Sequence, residues 1–165
     1  MRILISYYSR SGNNAKIAHI LKECLDGFPE VETQVEVIED LKDRSGTSGY
    51  ILGGRDAMLK KPADIKIPTF DVSDFDMLVI GGPVWAWTVS PAIRTYCMKY
   101  GRDAARLAFF CTMGSSGNKG AFAEMEKLCT KAPVAVLAFK DRQLGENGVL
   151  LKDGITDFAA ECVSV

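Results

Sequence analysis

The chain has 165 residues, of which 47% are hydrophobic and 25% charged, with a formal net charge of -1. That length suits one domain over residues 1–165 with a substantial core, and the balance of apolar to charged residues excludes a disordered chain. The near-neutral charge leaves no basic field for nucleic acid and no strong acidic field to steer a basic partner.

The first predicted element is a strand over residues 2–7, a short β-rich apolar run that ends in a polar turn through residues 8–13. Its apolar stretch is too short for a secretory leader. Ile17, Ala18, Ile20, Leu21, Cys24 and Leu25 then recur at helical spacing, and Gly27 and Pro29 stop that helix. His19 falls mid-helix, where a structural or exposed role is expected rather than a catalytic one. Residues 32–39 alternate charged and β-branched positions, with Val35 and Val37 expected on the buried face of a half-exposed strand. Glu39 and Asp40 at its end read as solvated charges.

Residues 40–74 break the rhythm. Gly46, Gly49, Gly53, Gly54, Pro62 and Pro68 predict a long irregular connection, with a short helical hint over residues 55–60. Regularity then returns. Nearly unbroken apolar runs at residues 77–81, 107–112 and 133–139 predict strands buried on both faces. Helices are expected over residues 91–100, from about 120 to 130, and from about 151 to 163, and Pro91 suits a first helical turn. Strands interleaved with helices imply an α/β fold: a doubly wound, five-stranded parallel sheet with helices on both faces. Ligands of such sheets bind beyond the carboxyl ends of the strands, so the loops after the first, third and fourth strands are the ones to examine.

The first of these loops is Ser9-Arg10-Ser11-Gly12-Asn13-Asn14. It offers hydroxyl and amide donors and a close-approach glycine in front of a helix N-terminus, a ready anion site. It contains neither the G-x-x-x-x-G-K-[ST] nor the G-x-G-x-x-G pattern, so a phosphate monoester held by neutral donors fits best. As an isolated feature, the same residues also read as an ordinary helix cap. After the third strand, Trp85 and Trp87 lie in a loop bounded by Gly82, Pro83 and Pro91. Two exposed tryptophans suit stacking on a flat heterocycle, the bland alternative being that they tuck into the local core. After the fourth strand, residues 112–118 supply amides and hydroxyls that fit the polar edge of such a ring. The five scattered cysteines include no C-x-x-C pair, and with a single histidine no metal site is assembled. They read as buried apolar groups of a reducing compartment, and with no membrane-length apolar run a cytoplasmic protein is expected.

Tyr7-Tyr8-Ser9-Arg10-Ser11-Gly12-Asn13-Asn14, Gly81-Gly82-Pro83-Val84-Trp85-Ala86 and Cys111-Thr112-Met113-Gly114-Ser115-Ser116-Gly117 together resemble the flavodoxin family in its short-chain form. The resemblance implies a flavodoxin-like strand order of 2-1-3-4-5 and FMN as cofactor. By position it sets Ser9, Ser11, Gly12, Asn13 and Asn14 around the FMN phosphate. Pro83, Val84, Trp85, Ala86 and Trp87 fall beside the isoalloxazine ring, and Thr112, Gly114 and Ser115 on its other side and the ribityl chain. Asn14 stands where the family usually has threonine. There is also no room for the long insertion of larger flavodoxins, and the strong acidity of many electron carriers is missing. The function implied is an FMN-binding flavoprotein for electron transfer or oxidoreduction, with no catalytic acid or base from the protein. The alternatives are an electron-carrier flavodoxin working with a redox partner protein, and an NAD(P)H-dependent quinone or FMN reductase. In the last case residues 40–74 would form a wall over the ring, and Arg55, Lys60 and Lys61 would meet a pyridine-nucleotide phosphate, although such a charge cluster is more often a solvated face.

Overall fold

The computed structural model describes residues 1–145 and 148–164. In chain order the elements are β1 (Arg2–Tyr7), α1 (Asn13–Asp26), β2 (Glu32–Val37), α2 (Gly46–Met58), β3 (Met77–Trp85), β4 (Thr88–Val89), α3 (Pro91–Lys99), β5 (Leu107–Met113), α4 (Asn118–Cys129), β6 (Ala135–Lys140) and α5 (Gly148–Val163). Five strands pair in parallel in the order β2-β1-β3-β5-β6, and β4 adds a short antiparallel ladder to the end of β3. Without β4 this is the expected 2-1-3-4-5 order.

Alternation along each strand sends neighbouring side chains to opposite faces. Ile3, Ile5 and Tyr7 therefore join α1 and α5 in one core layer with Val79, Phe110 and Phe158. Leu4, Leu78, Ile80 and Phe109 join α3 and α4 in the other, with Ile93, Tyr96 and Met125. Covering both faces is why the central strands read as unbroken apolar runs. On α1, the fully buried Ile17, Leu21 and Leu25 form the expected stripe, each contributing about 1.5–3 kcal/mol by burial. His19 on the same helix is exposed and meets Tyr7 edge-on at 6.3 Å. Cys97, Cys111, Cys129 and Cys162 are buried, and Cys24 is half-buried. No helix among the described residues is long and apolar enough to cross a membrane.

The register sets the functional end of the sheet. Tyr7 lies opposite Gly81, which lies opposite Phe110; two residues on, Pro83 faces Thr112 and Thr112 faces Phe139. The carboxyl ends of β1, β3 and β5 thus form one row. The chain leaves β1 for β2 on one side and returns to β3 on the other, which opens a crevice at this switch point.

Three expectations need correcting. First, within residues 40–74, expected to be irregular with a helical hint over 55–60, residues 46–58 form helix α2. Its buried positions are Gly49, Gly53, Asp56 and Ala57, at helical spacing, while Tyr50, Ile51 and Met58 are exposed. The helix therefore packs by its glycines. A Cβ on Gly49 would lie 2.3 Å from the Arg44 carbonyl carbon, and one on Gly53 would lie 2.7 Å from the Trp85 ring. Close backbone approach replaces the usual apolar stripe, and the low helix propensity of glycine is overridden by tertiary packing.

Second, β2 reverses its expected polarity at its end, where Glu36 is buried and Val37 is 54% exposed. The carboxylate is accommodated because Ser6 and Tyr96 hydroxyls donate to Oε1 at 2.9 and 2.8 Å and the Thr69 N–H donates to Oε2 at 3.1 Å. Burial and the adjacent Glu36 charge push the Tyr96 phenol far above its ordinary value, so it remains a donor. Third, Asp40 is not a solvated charge. Its carboxylate is buried and accepts from Arg44 Nε at 2.6 Å, whereas Glu39 forms an exposed pair with Lys66.

Candidate functional site

A cleft of about 650 Å³ lies over the carboxyl ends of β1, β3 and β5. Ser11, Pro83, Val84, Trp85, Ala86, Trp87, Thr112, Gly114 and Ser115 line it, bringing residues of all three anticipated loops to one place. Ser9, Gly12, Asn13 and Asn14 do not line it directly, and their local structure accounts for this.

Helix α1 starts at Asn13 after Gly12, whose φ of +89° is a left-handed turn that glycine adopts without strain. No side chain caps the helix, and its first internal bond runs from the Lys16 N–H to the Gly12 carbonyl. The preceding N–H groups thus have no intrahelical partner, and the reading of this loop as a plain helix cap is not realised. A Cβ on Gly12 would meet nothing within 4 Å, so the space before the helix is open. The Ser9 hydroxyl is buried without a hydrogen-bond partner. Asn14 is buried and donates through Nδ2 to Thr112 Oγ1 at 3.0 Å, tying α1 to β5 and leaving its own Oδ1 unpaired. Asn13 donates to Asp141 Oδ1 at 2.9 Å, and that aspartate lines the cleft.

The second loop is shorter than its sequence suggested, because β3 runs on to Trp85 and turns back as β4 at Thr88. Ala86 and Trp87 between them have φ of +48° and +60°. A two-residue hairpin needs left-handed backbone at both central positions, normally Asn-Gly. Here two non-glycine residues adopt it at a cost of about 1–2 kcal/mol each. The start of α4 holds them there: a Cβ on Gly120 would lie 2.7 Å from the Trp87 carbonyl oxygen, and one on Gly117 3.0 Å from Trp87 Cα. Strain of this kind persists only where the surroundings over-determine it. The hairpin exposes Trp87 (72%), while the half-buried Trp85 packs edge-on against Tyr8 at 5.8 Å and lies over Gly53.

The third wall was not anticipated in detail. Tyr50, Ile51, Gly54, Arg55 and Met58 of α2 close the cleft opposite the strand ends, and Arg10 contributes beside Ser11. Helical spacing of Gly49, Gly53, Asp56 and Ala57 was the available sequence signal for that wall. Arg10 anchors the helix start by donating to the Arg44 and Gly46 carbonyls, both at 2.9 Å, with its guanidinium 5.3 Å from the Tyr50 ring centre. Arg44, itself buried, bridges Asp40 and Asp56 at 2.6 and 3.1 Å. Burial opposes the charge on Asp56, but the Arg44 hydrogen bond and the charges of Lys42, Arg44 and Arg55 outweigh it and hold the carboxyl below its ordinary range. Lys60, expected to act with Arg55 and Lys61, pairs with Glu124 at 3.2 Å. Burial pushes the Cys111 thiol, next to Thr112, up to about 12, so it supplies no thiolate at neutral pH.

A cleft at the switch point of a doubly wound sheet, floored by strand ends and walled by tryptophans, is where open α/β proteins hold their ligands. A family model described as Flavodoxin matches residues 2–160, and the chain belongs to the flavodoxin family. Among solved structures it is similar to a flavoprotein of Lactobacillus acidophilus NCFM in complex with FMN, with a TM-score of 0.68 and 18% identity over 83% of this chain and 92% of that one. It is also similar to oxidised flavodoxin 1 of Bacillus cereus, with a TM-score of 0.60 and 14% identity over 99% and 98% of the two chains. A flavodoxin from the domain Archaea gives a TM-score of 0.59 at 16% identity, with 98% of each chain covered. At these identities the likeness is one of fold. No curated protein matches the sequence.

Proposed function

We propose that this chain binds FMN in the cleft and serves as an electron-transfer flavoprotein. The observation that carries the reading is the unpaired, buried Ser9 hydroxyl before an uncapped helix N-terminus, in the loop whose Ser11 lines a cleft walled by two tryptophans. Unpaired buried donors are costly, and a phosphate would satisfy them. In this reading Ser9, Ser11 and the N–H groups after Gly12 hold the phosphate. Turning the Asn14 amide lets Thr112 donate to its carbonyl and frees its NH₂ as a further donor. Pro83, Val84, Trp85, Ala86 and Trp87 face the ring from one side; Thr112, Gly114 and Ser115 contact its other side and the ribityl chain. Bound FMN supplies the redox chemistry, and the protein contributes binding, orientation and exclusion of water.

The direct test is the visible spectrum of the purified protein and a titration of its FMN-free form with FMN. A protein that stays colourless after exposure to FMN would defeat the reading. Ser11→Ala is expected to weaken FMN binding by about 1.5–3 kcal/mol, the scale of a lost hydrogen bond to a charged group. Unchanged affinity in a fluorescence titration would remove Ser11 from the phosphate site. Trp87→Ala is expected to raise the fluorescence of bound flavin and to cost about 1 kcal/mol of affinity. Trp85→Ala should do the same and also lose the contact with Tyr8; emission unchanged in both variants would count against ring stacking here.

The exposed wall of Tyr50, Ile51 and Met58, in a chain of net charge -1, favours a small-molecule electron donor or acceptor over a basic protein partner. Anaerobic addition of NADH and NADPH to the flavin-loaded protein separates the two: bleaching within seconds supports a reductase, and its absence a carrier.

A further inference from the structure

Helix α2 borders a second cavity, of about 530 Å³, and Arg55 lines both it and the cleft. Four cations, Lys42, Arg44, Arg55 and Lys61, face this second space, against two carboxylates, Asp56 and Asp64. The surplus is positive, although the whole chain carries -1. Arg44 is committed to the buried Asp40 and Asp56. Lys42 and Arg55 approach Asp56 only to 3.6 Å, with more than half of each side chain exposed. Lys61 is exposed and has no ion pair among the described residues. Exposed pairs of this length hold their partners weakly, so these cations are available to a stronger anion. Alongside, the cleft offers apolar wall from Tyr50, Ile51 and Met58 that the FMN loops do not include.

A ligand served by both spaces has a flat ring at one end and a phosphate dianion at the other. We propose that Lys42, Arg55 and Lys61 form a phosphomonoester site for the 2′-phosphate of a pyridine dinucleotide, whose nicotinamide end occupies the adjoining cleft between α2 and Trp87. Three exposed cations suit a dianionic monoester, and arginine is the residue that accommodates a 2′-phosphate by paired hydrogen bonds. Among the cations anticipated from sequence, Lys60 gives way to Lys42, because Lys60 reaches Glu124 and does not line this cavity. The inference rests on the cleft being the FMN site only for where the nicotinamide lies.

The test is calorimetric titration of the FMN-loaded protein with NADP⁺, NAD⁺, adenosine 2′,5′-bisphosphate and inorganic phosphate. NADP⁺ is expected to bind at least about tenfold tighter than NAD⁺, with adenosine 2′,5′-bisphosphate competing against it and inorganic phosphate much weaker. Lys42→Ala and Lys61→Ala should each weaken NADP⁺ about tenfold while leaving NAD⁺ affinity and FMN content unchanged. Equal affinity for NADP⁺ and NAD⁺, no binding of either, or NADP⁺ binding untouched by both lysine variants would overturn the proposal. Adenosine 2′,5′-bisphosphate is also titrated into FMN-free protein. A preparation that cannot be loaded with FMN but binds this nucleotide through Lys42 and Lys61 sinks the flavin reading and keeps the phosphate site; a loaded preparation that ignores it does the reverse.

Discussion

Arg44→Ala is expected to lower stability by about 3–5 kcal/mol, the range for removing one partner of a buried ion pair. The side chain lies between Asp40 and Asp56 with almost no exposure, and its backbone carries the close approach of Gly49 and the Arg10 hydrogen bond. Truncation strands two carboxylates that lack room for full hydration. The pH dependence follows from the sign of the Asp56 shift. Its folded carboxyl is held below the ordinary value, so the stabilisation is present above the unfolded pKa and is lost as pH falls through the lower, folded one. Urea denaturation should therefore show wild type losing this contribution only in acid. Arg44→Ala should be destabilised at neutral pH and recover part of the difference as Asp56 becomes protonated. A gap between the two proteins that is constant from neutral to acidic pH would contradict this account. Arg44→Ala combined with Asp40→Asn and Asp56→Asn should cost less than Arg44→Ala alone, since no buried charge is then left over.

Gly81→Ala is expected to be at least as damaging, at about 3 kcal/mol or more. Gly81 lies in β3, the middle strand of the sheet, between Tyr7 and Phe110. A methyl group there would sit 1.9 Å from Phe110 Cζ, inside a ring that is fully buried. Gly82 behaves likewise on the other face, where a Cβ would lie 2.4 Å from Ile93 Cγ1. Consecutive glycines thus let a phenylalanine and an isoleucine from neighbouring elements lie directly on the strand. Thermal unfolding of Gly81→Ala, Phe110→Leu and the double variant tests the cause. The second change should restore part of what the first removes, whereas simple additivity would place the damage elsewhere.

The three central strands and four of the helices were legible because burial on both faces leaves long apolar runs and amphipathic helices leave a 3.6-residue stripe. Strand β2 showed by alternation, and the edge strand β6, expected to be buried on both faces, exposes Val136 to 48%. What was not legible has a common physical origin: contacts made by something other than an apolar side chain. Helix α2 docks through Gly49 and Gly53, so its buried face carries no hydrophobic signal. Glu36 enters the interior because hydroxyls and N–H groups from β1, α3 and the segment before β3 converge on it, a convergence known only once the fold exists. The Ala86-Trp87 hairpin lacks Asn-Gly because α4, over thirty residues on, supplies the restraint that turn residues normally provide. The candidate site shows the same split. Its three loops were readable from where glycine, serine and tryptophan follow strands. The turning of Asn13 toward Asp141 and Asn14 toward Thr112, and the wall from α2, depend on tertiary placement.

Because α2 rests on its glycines, the residues it shows to the cleft are not the ones that hold it in place. Tyr50, Ile51 and Met58 are each at least 60% exposed, and surface changes of this kind usually alter folding free energy by less than about 0.5 kcal/mol. Selection, or a combinatorial library, is therefore free to redraw one side of the chamber while the scaffold stays intact. The glycine-faced helix works as an interchangeable panel, through which one backbone could come to serve differently shaped molecules.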